Sequence, residues 1–152
     1  MAGYTGQFEC KVDAKGRMKL PAGLLRQVPE QTRTQYVINK GFDNCLILYP
    51  QAAWEQLTEK LNKLNYFNTK HRDFLRAFYR NSVMVELDSS ERVLIPKRLA
   101  ETVGIDDEIV ILAYGNNIEL WSKARFDAIP EPTSEDIAQL ANDVLGGINL
   151  FE

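Results

Sequence analysis

The chain has 152 residues, 45% apolar and 26% charged, the balance of a globular protein able to bury a core without disulfide or metal staples. Its 18 Lys and Arg against 21 Asp and Glu give a net charge of −3, which taken whole speaks against a protein that coats nucleic acid. No apolar run approaches the roughly 18 residues of a membrane span, and the opening MAGYTGQFECKVD does not read as a signal peptide. His71 is the one histidine, which leaves no multi-His metal site, and Cys10 and Cys45 stand far apart in alternating apolar contexts, as small buried thiols do in a reducing cytoplasm. No glycine-rich phosphate loop, HExxH or nucleophile motif occurs, so no enzyme chemistry, cofactor or small-molecule substrate is expected.

In chain order, FECKV (8–12) alternates as a half-buried strand, Asp13–Gly16 forms a turn with Gly16 free to take positive φ, and Arg17–Leu20 returns as a second strand. Pro21 then opens a short helix in its first turn, where a missing N–H costs nothing. Strands are expected at about 35–40 and 45–49. The helix QAAWEQLTEKLNKL (51–64) places Trp54, Leu57, Leu61 and Leu64 on one stripe, with Glu59 and Lys63 as a supporting pair. A second helix starts at an Asn68 or Thr69 cap, turns Phe74, Leu75 and Phe78 inward and stacks Arg72, Arg76 and Arg80 on a solvated or subunit-facing side. Trp54, Phe74, Phe78 and Trp121 are expected in the core.

The following stretch repeats the first. DSSERVLIPKRLAETV (88–103) lies over DAKGRMKLPAGLLRQV (13–28) with Asp13/Asp88, Arg17/Arg92, Pro21/Pro96, Leu24/Leu99 and Val28/Val103 identical. NNIELWSKARFDAI (116–129) lies over NCLILYPQAAWEQL (44–57), matching Asn44/Asn116, Leu48/Leu120 and Ala52/Ala124. Two blocks in one order and nearly one spacing indicate a tandem duplication of a roughly 50-residue module. The second copy is therefore expected to carry a strand VMVEL (83–87), a turn at 88–91, strands at Arg92–Ile95, about 108–113 and about 117–121, and a helix from about 123. The organisation read from this is 3–57 first module, 58–80 connecting helices, 81–130 second module and 131–152 acidic tail. That tail holds an amphipathic helix capped by Thr133 or Ser134, apolar at Ile137, Leu140, Ala141, Val144 and Leu145, and ended by Gly146-Gly147. Leu150 and Phe151 fit either a frayed end or a docking contact.

The net charge conceals a gradient. Residues 1–80 hold 13 basic and 7 acidic side chains, residues 81–152 hold 5 and 14, so the halves carry +6 and −9. Residues 127–152 have six acids and no base, an end that should avoid DNA. The repeated D-x-x-x-R turn admits two readings. The Asp can simply fix a stable hairpin by accepting turn N–H groups. Alternatively, an Arg held beside that carboxylate is poised for bidentate bonds to phosphate or a guanine edge. Lys11, Lys15, Lys19 and Arg26 surround Arg17, and alternation turns Lys11 and Lys19 away from Cys10, Val12, Met18 and Leu20, giving a basic hairpin face of a shape that enters a DNA groove. The second copy has Ser90-Glu91 in the turn and Leu94 in place of Lys19.

DAKGRMKLP and DSSERVLIP resemble the D-x-x-x-R hairpins of AbrB-type swapped-hairpin DNA-binding proteins. The spaced pair, with helices between and after, YP-x-x-x-W (Tyr49, Pro50, Trp54) and ELW (Glu119–Trp121), resembles the MraZ family over about residues 3–150. The resemblance implies an α+β fold of two tandem swapped-hairpin β-barrel modules forming a pseudo-dimer, with connecting helices and a C-terminal amphipathic helix. It also implies a cytoplasmic, nucleoid-associated transcriptional regulator, usually a repressor. Such a regulator binds double-stranded DNA at short direct repeats upstream of its own gene, in the division and cell-wall gene cluster, as a ring-like homo-oligomer. The family's DNA-binding Arg falls on Arg17 and the basic turn position on Lys15; Asp13, Gly16, Asp88 and Arg92 fall on the hairpin frame. Because Glu91 departs from the pattern, Arg92 is open to a DNA contact or to a structural pairing with Asp88. The competing class is a protein-interaction module, antitoxin-like or ring-forming, whose active surface would be the acidic second half and tail helix.

Overall fold

A computed structural model describes residues 3–146. The first module runs β1 (Tyr4–Lys11), β2 (Arg17–Lys19), α1 (Ala22–Leu25), β3 (Gln35–Lys40) and β4 (Leu46–Pro50), with a single 3-10 turn at Glu30–Thr32. Two helices follow, α2 (Gln51–Leu61) and α3 (Thr69–Tyr79). The second module repeats the order as β5 (Val83–Glu86), β6 (Arg92–Leu94), α4 (Lys97–Thr102), β7 (Glu108–Gly115), β8 (Asn117–Ser122) and α5 (Lys123–Asp127), and α6 (Ser134–Leu145) ends the described chain. The fold is α+β, and its strand pairs are antiparallel.

Strand pairing interleaves the copies. β1 pairs along its whole length with β7, from Tyr4 opposite Gly115 to Lys11 opposite Glu108, and β5 pairs with β3, from Ile38 opposite Val83 to Gln35 opposite Glu86. Each module thus lends its first strand to the third strand of the other. The two second strands, β2 and β6, form a small sheet of their own, and β4 meets β8 at the centre of the large sheet. Its order is β1-β7-β8-β4-β3-β5. The expected barrel is not closed by hydrogen bonds among the described residues: β1 and β5 are the sheet's two edges.

The duplication reappears in the core. Met18/Val93, Leu20/Ile95, Leu24/Leu99, Val28/Val103, Leu46/Ile118 and Leu48/Leu120 are repeat-equivalent pairs, and all twelve residues are buried in one shared cluster. Alternation fixes the faces of the small sheet, where Met18 and Val93 point inward at 0% exposure, so Arg17, Lys19, Arg92 and Leu94 must point outward. Cys45 is buried and Cys10 half-buried, and burial pushes their thiols up to about 12 and about 11, so neither is a thiolate at neutral pH.

Several local expectations shift. Pro21 and Pro96 sit one position earlier than expected, as N-caps in extended conformation, and their carbonyls accept the first helical bonds, Leu25 N to Pro21 O and Ala100 N to Pro96 O. α2 stops at Leu61, short of Lys63, and no Glu59–Lys63 ion pair forms among the described residues. Asn68 caps α3, and Thr133 and Asp136 cap α6 reciprocally in a capping box. The aromatic residues expected in the core stand beside it instead. Trp54 packs on Tyr49 at 5.2 Å and Phe78 at 5.8 Å between ring centroids, Trp121 packs edge-on to Phe126, and all of these are half-buried while Phe74 is exposed. Helices α2 and α3 lie against the outer side of the β3–β4 hairpin, so their apolar stripes meet a surface one layer away from the shared core. On α6, Ile137, Leu140 and Val144 are exposed, and nothing on the helix is buried. Gly147, Leu150 and Phe151 lie outside the described residues.

Candidate nucleic-acid interface

Both D-x-x-x-R elements fold alike. Asp13 Oδ1 accepts from the Lys15 N–H (3.0 Å) and the Arg17 N–H (2.9 Å), while Arg17 Nε donates to Asp13 Oδ2 at 2.8 Å. Asp88 does the same for Ser90 N–H (2.9 Å), Arg92 N–H (2.9 Å) and Arg92 Nε (2.9 Å). Main-chain bonds close each turn, Asp13 N to Arg17 O and Gly16 N to Asp13 O, then Asp88 N to Arg92 O and Glu91 N to Asp88 O. The fourth turn residue has positive φ in both copies, +85° at Gly16 and +61° at Glu91. Glycine takes that conformation freely; Glu91 is the one non-glycine residue with positive φ among the described residues.

The turns are also tied to each other. Leu20 N donates to Glu91 O at 2.9 Å and Ile95 N to Gly16 O at 2.8 Å, so each turn is bonded to the strand that follows the other. Arg92 Nη1 lies 3.7 Å from Asp13 Oδ2, which places both guanidinium groups on the Asp13 carboxylate. On the outer face of the small sheet, Arg17 stands opposite Leu94 and Lys19 directly opposite Arg92. Like charges directly across a ladder destabilise it, and Lys19 makes no ion pair among the described residues. Folding alone gains nothing from that juxtaposition. An approaching polyanion does.

Arg17 is held by Nε alone. Its two terminal nitrogens have no partner among the described residues, so a fixed, half-exposed guanidinium presents a free fork. Lys11, Lys15, Lys19 and Arg26 are all exposed. The structure gathers Lys15, Arg17, Lys19 and Arg92 at the paired turns and places Lys11 at the end of β1 opposite Glu108. Arg26 is separate. It caps the far end of α1, beside Gln27, which is bonded to Thr5 near the start of β1. A cleft of about 690 Å³ flanks the first turn, lined by Lys15, Asp13 and Lys97 together with Asp106 and Asp107. Neither the Arg92–Asp13 contact nor the approach of Lys97 was visible from spacing, because both depend on the interleaving of the modules.

The carboxylates of both turns titrate low. Asp13 is held below the usual carboxylate range chiefly by the Arg17 backbone N–H, against some opposing desolvation, with the Arg17 side chain and the Lys15 N–H adding to the effect. Asp88 is lowered chiefly by the Arg92 N–H, again against desolvation, and then by the Ser90 N–H and the Arg92 side chain. A carboxylate whose folded pKa lies below its unfolded one stabilises the fold above the unfolded value, near 3.9 for Asp, and that contribution disappears as pH falls through the folded value. The double variant Asp13→Asn, Asp88→Asn should therefore melt at a temperature that varies less with pH below about 4 than the parent does. Thermal melts between neutral and strongly acid pH test this, and parallel acid limbs for the two proteins would contradict it.

Fold and turns together define a class: a chain of two interleaved copies of one hairpin-and-helix module, each setting an Asp–Arg turn on a common outer face. The family described as "MraZ protein, putative antitoxin-like" matches this chain twice, over residues 4–77 and 78–145. The chain belongs to the MraZ family. Relatives named "Transcriptional regulator MraZ" include one from Christiangramia forsetii, 41% identical over 96% of this chain and 95% of its own. Those from Flavobacterium psychrophilum and Cytophaga hutchinsonii are each 37% identical, over 95% of this chain and 93% and 96% of theirs. Among the described residues no helix is long and apolar enough to cross a membrane, and no group of three or more His, Cys, Asp and Glu is placed to hold a metal.

Proposed function

We propose that this protein is a sequence-specific DNA-binding transcriptional regulator, acting as a repressor in the cytoplasm on the nucleoid, and that it is not an enzyme. It binds short direct repeats upstream of its own gene in the division and cell-wall cluster, as a ring-like homo-oligomer. Residues 3–57 and 81–130 are swapped-hairpin modules of the AbrB type paired as a pseudo-dimer, 58–80 connect them, and 131–152 form an acidic arm. Arg17 reads phosphate or a guanine edge; Lys15, Lys19 and Lys11 contact backbone phosphates, and Arg26 extends that contact at the periphery. Asp13, Gly16, Asp88 and Arg92 hold the hairpins in shape. The observation that carries this reading is the outer face of the small sheet, where Lys19 faces Arg92 and Arg17 keeps its terminal nitrogens free. The names of the relatives support the same direction.

The uncovered apolar side of α6 supports self-association. So does a groove of about 460 Å³ lined by Phe42, Tyr49, Leu57, Leu61, Phe74 and Phe78. The same bare helix favours the second reading, a protein-interaction module, but that reading leaves the paired turns unexplained. Salt-titrated binding to duplex from upstream of the protein's own gene separates the two. Four phosphate contacts per chain predict a log–log salt slope of roughly −3 to −4 per bound chain. Deleting residues 131–152 should leave affinity for a single repeat unchanged and lower it on a duplex with several repeats, where linked copies gain by effective concentration. Binding that ignores salt would overturn the proposal.

A further inference from the structure

The helix that ends the described chain buries nothing against its own body. α6 is 12 residues long, a length that is marginal for an isolated helix in water, and its capping box fixes only the first turn. Ile137, Leu140, Ala141, Val144 and Leu145 recur at i, i+3, i+4, i+7 and i+8, yet none of them is buried, and Ile137, Leu140 and Val144 are more than half exposed. By helical spacing Asp136 and Asp143 border that stripe beside Leu140. Residues 127–152 carry six acids and no base, and Pro130 and Pro132 stiffen the stretch that joins α6 to α5. Such a helix gains its stability only when a partner covers the stripe.

The same chain holds the complement. The groove of about 460 Å³ is lined by Phe42, Leu57, Leu61, Phe74 and Phe78, with Lys60 among them. Phe42 is 92% exposed, so the groove stands open in the single chain. Lys70 precedes Phe74 by one turn on the same face of α3. Neither Lys60 nor Lys70 makes an ion pair among the described residues, and residues 58–80 hold six basic side chains against two acidic ones. An apolar groove with a cationic border is thus matched by an apolar helix with an acidic border. We infer that α6 of one chain docks in this groove of a second copy, its Ile137, Leu140 and Val144 stripe on the groove's aromatic lining and its acids toward Lys60 and Lys70. Anchors at i, i+3, i+4 and i+7 are those of a helix laid in a groove. Helix and groove are different surfaces, so each copy gives one and receives the other. That contact is head-to-tail, and it generates a ring where the rotation from copy to copy closes. The inference rests on the homo-oligomer reading above and names the two surfaces that make it.

Sedimentation velocity of the full chain tests this with two double variants, Leu140→Gln, Val144→Gln in the helix and Phe42→Gln, Phe74→Gln in the groove. All four side chains are exposed in the single chain, so both variants should fold, which circular dichroism checks. Each should raise the concentration needed for assembly by roughly 100-fold, the effect of withholding two apolar side chains from burial. Each alone should then sediment as a monomer where the parent forms assemblies larger than a dimer. An equimolar mixture should give a heterodimer and nothing larger, because the intact helix of one variant meets the intact groove of the other and the remaining two surfaces are both altered. Lys60→Glu with Lys70→Glu should raise the assembly concentration roughly tenfold at low salt and less at high salt. Parent-like assembly by either folded double variant, a mixture that stays monomeric, a mixture that regains the parent's assemblies, or no effect of the two lysine reversals would each overturn the inference. A parent that stays monomeric at every concentration would instead remove the homo-oligomer reading itself, a result distinct from these.

Discussion

Arg17→Ala should weaken binding to the upstream duplex by about 100-fold, and the salt slope should fall by about one where its fork sits on phosphate and stay unchanged where it reads a guanine edge. The size follows from geometry. Nε is already spent on Asp13 at 2.8 Å, so the side chain is ordered before DNA arrives and both terminal nitrogens remain to be used. A bidentate contact of that kind is worth about 1–3 kcal/mol. Arg17→Lys should recover little of the loss, because an ammonium cannot bond Asp13 through one nitrogen and offer a fork with two others. Arg92→Ala resolves the alternative left open at the second turn. If Arg92 acts only through Asp88 and Asp13, affinity falls less than tenfold and the salt slope is unchanged; if it touches a phosphate, the slope falls by about one. Asp13→Ala leaves the Lys15 and Arg17 N–H groups without their acceptor and releases the guanidinium, so it should lower affinity while leaving the slope unchanged. Full affinity in Arg17→Ala would remove the site assignment.

What could be read from the sequence was whatever repeats or is local. Asp13/Asp88 and Arg17/Arg92 identified both turns, Gly16 signalled positive φ, and Asn68 and Thr133 marked helix caps that the structure places there. Glu91 gave no such signal, since nothing in its side chain announces a left-handed backbone. Its geometry is imposed by the duplicated frame, through Glu91 N to Asp88 O and Leu20 N to Glu91 O. Strand partners were also out of reach. Periodicity says that Tyr4–Lys11 is a strand, but not that its partner is Glu108–Gly115, a pairing between residues about a hundred positions apart. The aromatic side chains misled for a related reason. Size and helical spacing argue for burial, whereas α2 and α3 pack on the outside of a hairpin and leave Phe74 40% exposed.

Interleaving also changes what the charge gradient means. A basic first half and an acidic second half suggest two poles, with the acids turned away from DNA. In space, Lys11 faces Glu108 across β1 and β7, Glu9 is bonded to Lys123 at 3.1 Å, and Asp107 O accepts from Val12 N beside the first turn. Glu101, Asp106 and Asp107 border the same cleft as Lys15. The acids of the tail helix, Glu135, Asp136 and Asp143, make no ion pair with the paired turns among the described residues. The basic surface is therefore a narrow patch hemmed by carboxylates, which limits nonspecific adsorption to polyanions and leaves affinity to the few groups at the turns.

Leu120→Ala should destabilise the whole chain as one unit. Leu120 is fully buried and stands opposite Ile111 within its own module and Leu46 of the other, at the join between the two halves of the large sheet. Truncating a buried leucine costs about 2–5 kcal/mol, and for a chain of this size that lowers the melting temperature by roughly 5–15 °C. The more informative outcome is where the loss appears. Were the modules separate folding units, a cavity in the second would leave the first intact. Among the described residues β1 has no strand partner but β7 and β5 none but β3, and the core residues of both copies form one cluster, so neither half retains its sheet without the other. The two tryptophans report the halves separately: Trp54 lies on α2 against Tyr49 and Phe78, and Trp121 lies on β8 against Phe126. In the backgrounds Trp54→Phe and Trp121→Phe, the remaining tryptophan should follow one denaturation curve with one midpoint, and Leu120→Ala should shift both midpoints equally. Separate midpoints for Trp54 and Trp121 would mean that the duplicated modules fold independently, and the interleaved sheet could not then be the source of the protein's stability.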